Sequence, residues 1–184
     1  MKMDKVDGFF GNMLRGFVKG FQPFADQGIR PFTGAHNILE SDAIVVIGAN
    51  PQEEAPVAAS YIRVSTIIER AKLINLSAGK NPFDGITDAD IRAALPGEME
   101  KVLVSLREAV EGGPEPKEPA MAESARVLRE AKKPVFVIGS SLAEHPSLVT
   151  EALNLAVASK AFFDDGLGVV PMLRGGNCLG ALNT

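Results

Sequence analysis

The sequence predicts an α/β domain, doubly wound around a mostly parallel sheet with helices on both faces. Three observations predict it. Ile44, Val45, Val46 and Ile47 form a continuous β-branched run, which suits a strand covered on both sides. Strand-like and helix-like segments alternate along the chain in the order of βαβ crossovers. The composition, 46% hydrophobic and 23% charged over 184 residues, belongs to a folded chain long enough for a substantial core.

The elements follow in order. Phe10, Leu14, Phe17, Val18 and Phe21 recur at three- or four-residue spacing, so the segment Phe9 to Phe24 is read as an N-terminal amphipathic helix. Its apolar face needs a cover, which is either the following domain, a membrane surface or a partner. After the strand through Ile47, the run Gly48-Ala49-Asn50-Pro51-Gln52-Glu53-Glu54 makes a turn and a first helical turn, with Pro at a helix start and acids beside it. Backbone N–H groups there would form an anion site; equally, the turn would simply join a strand to a helix. Val57 to Ala71 has helical spacing, Lys72 to Leu76 reads as a second strand, and Ser77 to Asp90 as a loop bordering the same crevice as the Gly48 turn.

Glu98 to Val110 is a helix stopped by Gly112 and Gly113, and the Pro/Glu/Lys run to Pro119 is a surface connection. Met121 to Lys132 is a helix, Pro134 to Gly139 a strand, His145 to Ser159 a helix and Ala161 to Phe163 a short strand. The chain therefore divides into an N-terminal helical and loop segment at 1–37, a first βαβ-like half at 38–113 and a second at 114–184.

A net charge of −4 and a pI near 5.3 argue against general nucleic-acid binding, which needs clustered Lys and Arg. No stretch is long enough to insert directly into a membrane, and residues at the N-terminus lack the basic start and apolar core of a signal peptide, so a cytoplasmic chain is expected. One cysteine, Cys178, gives no disulfide framework and no iron–sulfur ligand set; it is either a small packed side chain or a reactive thiol. His36 and His145 lack ligand spacing, so no metal site is expected. Ser140 and Ser141 follow Gly139 without a nucleophile elbow and are read as caps. Lys80 and Arg174 would supply positive charge near the crevice. The Asp164-Asp165 pair reads as a solvated loop, and no catalytic residue is expected in this chain.

Several motifs in order resemble the molybdopterin oxidoreductase superfamily: Ser41-Asp42-Ala43 through Gly48-Ala49-Asn50-Pro51 to Glu53, Lys72-Leu73-Ile74, Leu95-Pro96-Gly97, Ala131-Lys132-Lys133-Pro134-Val135 with Ile138-Gly139, and Leu173-Arg174-Gly175-Gly176-Asn177 with Gly180. The resemblance implies a Rossmann-like fold. It also implies a cofactor-binding set at Gly48, Asn50, Pro51, Glu53, Ser77, Glu98 and Asn177, in which the first residues face a pyrophosphate and Ser77 or Glu98 a sugar or base. Cofactor-binding members carry an acid at the position of Ser77 and a second near Met99. Two lost charged hydrogen bonds, each about 1.5–3 kcal/mol, favour a vestigial pocket.

The resemblance is therefore nearest to the large iron–sulfur subunit of NADH:quinone oxidoreductase. On that reading the chain is a cofactor-free scaffold domain within an electron-transfer complex. Iron–sulfur clusters belong to the parent protein, and the partners are the parent chain's other domains and the subunits of a membrane-associated respiratory complex. The placement is then cytoplasmic, peripheral to the membrane, and the chain alone inactive. The alternative is a domain binding molybdopterin guanine dinucleotide in an oxidoreductase such as a formate dehydrogenase. On either reading it is a fragment of a larger protein. The strand segment from Lys132-Lys133-Pro134 to Gly139 is also similar to a central domain of thiamine-diphosphate enzymes, which the G-A-N-P turn does not suit.

Overall fold

The computed structural model describes residues 11–29, 32–80, 82–163 and 165–172. The β-branched run becomes β1 (Ala43–Ile47), fully buried along its length, because it is the middle strand of five. It pairs in parallel with β2 (Lys72–Ser77) on one side and β4 (Pro134–Gly139) on the other, with Val45 opposite both Ile74 and Phe136. Two further parallel strands, β3 (Ala89–Arg92) and β5 (Val169–Met172), complete the order β3-β2-β1-β4-β5.

The helices divide between the two faces as a doubly wound fold requires. One face holds α1 (Gly11–Ala25), α4 (Pro96–Val110), α5 (Pro119–Glu130) and α7 (Pro146–Ala158), and its core joins Val45, Ile47, Leu76, Phe136 and Ile138 to Phe17, Leu103, Leu128 and Leu153. The opposite face holds α3 (Pro56–Ile67) and a 3-10 turn (Ala35–Glu40), packed on Ile44, Val46, Leu73, Val135 and Val137 through Ile38, Ala58, Ile62 and Phe83. The chain moves outward from β1 to β2 with its helix on one face, and from β4 to β5 with its helix on the other, as right-handed crossovers demand. Two single-turn helices, α2 (Pro51–Glu54) and α6 (Ser140–Ala143), sit directly after β1 and β4.

The structure corrects two elements. The loop expected from Ser77 to Asp90 ends in strand β3, whose four residues are too few for a visible alternation. Ala161–Phe163 is a turn: Ala161 N–H donates back to the Ala156 carbonyl with Lys160 at φ 60°, which closes α7 and does not start a strand. The fifth strand lies later, where Pro171 obscures it; an edge strand tolerates that proline because only one side must donate.

The amphipathic N-terminal helix finds its cover within the domain. Gly16 lies so close to the Ala143 carbonyl, and Gly20 to Pro146 and Val149, that a Cβ at either position would collide with backbone or Cβ atoms there. Thr150 Oγ1 donates to the Gly20 carbonyl at 2.9 Å, Phe17 is fully buried, and Phe32 packs on Phe17 and Phe21 with ring centroids 5.7 and 4.7 Å apart.

At the amino ends of the central strands Asp42 ties three of them together. Its carboxylate accepts the N–H groups of Lys132 and Lys133 at 2.8 and 2.9 Å, and its carbonyl accepts Lys72 N–H at 2.8 Å. Charged acceptors make the stronger backbone bonds, tempered here by solvent. Asp42→Ala is expected to lower stability by about 2 kcal/mol in urea unfolding while leaving the far-UV spectrum unchanged, and Asp42→Asn, which keeps one acceptor oxygen, by less.

Candidate functional site

In open α/β sheets, ligands bind outside the carboxyl ends of the strands, where the strand order reverses. Here that point lies between β1 and β4. Gly48 follows β1 at φ 57°, a conformation that glycine adopts at no steric cost. The side a Cβ would occupy is filled by the Leu142 side chain and the Ser141 hydroxyl. Across the gap, a Cβ on Gly139 would run into the Gly48 carbonyl and Ala49. The two turns therefore meet backbone to backbone.

Hydrogen bonds fasten the contact. Ser141 Oγ donates to the Gly48 carbonyl at 2.6 Å and Ser141 N–H to the same oxygen at 3.3 Å. Ser140 Oγ donates to the Glu54 carboxylate on α2. The two serines read as caps thus bridge to the opposite turn; α6 has no side-chain cap bond at Gly139. α1 presses on this junction from outside, since Gly16 abuts Ala143 and Glu144.

The residues expected to contact a dinucleotide fall along the same end of the sheet. Asn50 is the N-cap of α2 without a side-chain cap bond; its carbonyl accepts the N–H groups of Glu53 and Glu54 at 3.0 and 2.9 Å, and its Oδ1 is buried without a hydrogen-bond partner. Pro51 is buried and has no N–H to offer, while Glu53 is exposed in the same turn. Ser77, at the end of β2, donates to the Gly79 carbonyl at 3.2 Å and accepts Asn75 Nδ2 at 3.1 Å. Glu98 lies beyond β3, its carboxylate accepting Ala94 and Leu95 N–H at 3.0 and 3.1 Å, which caps α4. Gly48 to Glu53 and Ser77 stand on neighbouring strands, with Glu98 further out. Asn177, Arg174, Cys178 and Asp164 lie outside the described residues.

A polar chain that sequence reasoning missed runs beside these residues. Asn75, fully buried in β2, donates to Asp90 Oδ1 at 2.7 Å, and Asp90 Oδ2 holds Arg92 Nε at 3.2 Å. Asn75 stands inside an apolar strand, K-L-I-N-L-S, and that break in the pattern was its available signal. Over the same end lies the loop after β2, fastened where Gln52 Nε2 and Arg63 Nη2 both donate to the Pro82 carbonyl and Arg63 stands over the Phe83 ring.

Among the described residues, two clefts lie at the opposite end of the sheet. One of about 130 Å³ is bordered by Asp42, Lys72, Arg126 and Glu130, and another of about 380 Å³ by Thr66, Ile67, Arg70, Ile86 and Asp88. Several of these charges are paired: Lys72 with Asp88 at 2.7 Å, and Arg126 with Glu123 and Glu130 at 2.6 and 2.8 Å. The Arg126 hydrogen bond holds the Glu123 carboxyl below its ordinary pKa. Among the described residues no group of three His, Cys, Asp or Glu side chains is placed to hold a metal, and no helix is long and apolar enough to cross a membrane.

No family model matches the sequence, and no curated protein does. The fold does have solved counterparts. A chain of the formyltransferase/hydrolase complex (FhcABCD) from Methylorubrum extorquens, solved in complex with methylofuran, superposes with a TM-score of 0.66 at 17% identity, over 96% of this chain and 47% of that one. The neighbour belongs to a multi-subunit complex. This chain spans about half its length.

The comparison corrects the identification made from motifs. The structural neighbour is a chain of a formyltransferase/hydrolase complex, and neither an NADH:quinone oxidoreductase large subunit nor a formate dehydrogenase-type enzyme. The NADH dehydrogenase, quinone and iron–sulfur assignments fall with it, as does the respiratory complex as partner. The physical reason lies in the motifs themselves. A β-branched strand, a glycine turn and a proline-started helix are what any βαβ unit requires, and here Gly48 and Gly139 are glycines because the two turns touch.

Gly48→Ala adds a Cβ both at positive φ and into Leu142, so a loss of about 2–4 kcal/mol is expected in chemical denaturation. Ser141→Ala, which removes one hydroxyl bond, is expected to cost about 1 kcal/mol.

Proposed function

We propose that this chain is a non-catalytic α/β domain of a multi-subunit assembly of the type represented by the formyltransferase/hydrolase complex. One observation carries the reading: the crevice between β1 and β4, where folds of this class hold their ligands, is occupied by Ser140, Ser141 and Leu142 of the chain itself. Ligand entry would require α6 to lift from Gly48 against both the serine bonds and the packing of α1. The likeness supports the assembly part of the reading, because 96% of this chain corresponds to a portion of one much longer subunit. On this reading Ser77 and Glu98 act within the fold, as a loop tether and a helix cap.

Two measurements test it. Calorimetric titration of the purified chain with methylofuran is expected to show no saturable heat up to millimolar ligand; saturable binding that Gly48→Ala abolishes without unfolding the chain would refute the closed-crevice reading. An affinity-tagged copy expressed in its native cell is expected to elute with other polypeptides at a mass well above twice its own. Recovery only as the chain by itself would refute the assembly.

A further inference from the structure

Asp-Gly occurs three times in the chain, at Asp7-Gly8, Asp84-Gly85 and Asp165-Gly166. The pair has a chemistry of its own. A backbone nitrogen can attack the side-chain carboxyl carbon of the aspartate before it, expelling water and closing a five-membered succinimide. Glycine favours the attack, because no Cβ shields its nitrogen and its backbone is the least restricted. Water then opens the ring at either carbonyl. One opening restores aspartate; the other leaves isoaspartate, in which the main chain runs through the former side chain and is one carbon longer. Water is lost and regained, so the reaction needs no oxidant, reductant or cofactor. In a folded chain it depends on the exposure of the carboxyl, on what holds the glycine N–H and on the freedom of the peptide between them.

Asp7-Gly8 lies outside the described residues, and the other two pairs differ. Asp84 and Gly85 are both exposed. They form the centre of a turn in which Ile86 N–H donates to the Phe83 carbonyl at 3.0 Å and Gly85 has φ 86°, near the value of about +80° at the third residue of a type II turn. Exchange between types II and I turns over only the central peptide, which here carries the Gly85 N–H. The nitrogen therefore swings relative to the Asp84 carboxyl while Phe83, fully buried, and Ile86, packed on the same core, stay in place. Among the described residues neither the Gly85 N–H nor the Asp84 carboxylate has a hydrogen-bond partner. A Cβ on Gly85 would meet nothing within 4 Å, and the residue borders the cleft of about 380 Å³, so the moving peptide and water both have room.

The second pair is held. Asp165 is exposed, but Gly166 N–H donates to the Phe163 carbonyl at 2.9 Å. Gly166 also lies against the carbonyl oxygens of Lys160 and Ala161, where a Cβ would collide with both. Attack by this nitrogen must first break the hydrogen bond and lift the glycine from that contact, which slows it about tenfold or more.

We propose that Asp84-Gly85 is a modification site of the native chain, at which aspartate converts through a succinimide to isoaspartate while the fold protects Asp165. Neither the closed crevice nor the assembly bears on it.

Incubation of the 184-residue chain for several weeks in neutral buffer, followed by trypsin and peptide mass spectrometry, tests it. Cleavage after Lys80 and Arg92 isolates Asp84, and cleavage after Lys160 and Arg174 isolates Asp165. Isoaspartate appears as a second chromatographic peak of unchanged mass, placed within the peptide by electron-transfer fragmentation. In the native chain isoaspartate is expected to grow about tenfold or more faster at 84 than at 165. In guanidinium chloride, where the Gly166 contacts are gone, the two sites are expected to react at similar rates. Asp84→Glu, whose ring would need six members, is expected to remove the second peak although Asp88 and Asp90 remain in the same peptide. Absence of isoaspartate at 84 in the native chain overturns the proposal. So does equal growth at 165, or an undiminished preference for 84 in guanidinium chloride.

Discussion

The carboxyl end of this sheet is organised by one contact, the approach of the Gly48–Ala49 turn to Gly139 and the short helix after it. Strand neighbours are about 4.8 Å apart, so the turns leaving β1 and β4 diverge or touch according to their side chains. With no Cβ on either glycine they touch, and the next groups along are fixed in consequence. Ser141 can reach the Gly48 carbonyl, Ser140 can reach Glu54, and Leu142 lies where a ligand would otherwise approach the turn. The same absence of side chains that elsewhere lets a phosphate approach the backbone here lets another piece of backbone approach it.

That contact is supported from behind. α6 is a single turn and has little stability of its own; its position is set by what packs on it. Gly16 brings α1 against Ala143 and Glu144, and Gly20 brings the same helix against the start of α7. Because Phe17 is fully buried, displacing α1 would expose a large apolar side chain, a loss of about 2 kcal/mol for that residue alone. Closure at the switch point is thereby linked to the core of the whole face, and at the other end of the strands Asp42 fixes the spacing of β1, β2 and β4.

This division explains what the sequence disclosed. Strands β1, β2 and β4 and the helices between them were legible because central strands and their covering helices are dictated by apolar pattern, which is local. The edge strands were not: β3 has four residues, and β5 carries Pro171, so neither shows a run or an alternation. The site was legible only as a place. That Gly48 demanded close approach could be read from the strand–glycine–turn order, but what approaches is set by Gly139 and Leu142, in a distant part of the chain. Asn75 was visible as one polar residue in an apolar strand, yet its partner Asp90 lay in a segment read as loop. The family reading failed for a related reason, since glycine–proline punctuation of a βαβ unit is required by its geometry whatever the fold is used for.

An apolar row left on the outside of α3 has to be reconciled with a domain otherwise so thoroughly buried. The inner face of that helix is built from Ala58, Ala59, Ile62 and Ser65, mostly small residues that let it lie close to the 3-10 turn and the sheet. With those residues turned inward and Tyr61 half-buried against the same core, the helix leaves Val57, Val64 and Ile68 exposed. Packing of this domain does not require them there; Lys, Glu or Gln would serve an exposed helix face better. Exposed apolar side chains that contribute nothing to the fold are a liability to a chain in isolation, and Val57, Val64 and Ile68 are apolar surface that the packing of the described residues leaves uncovered.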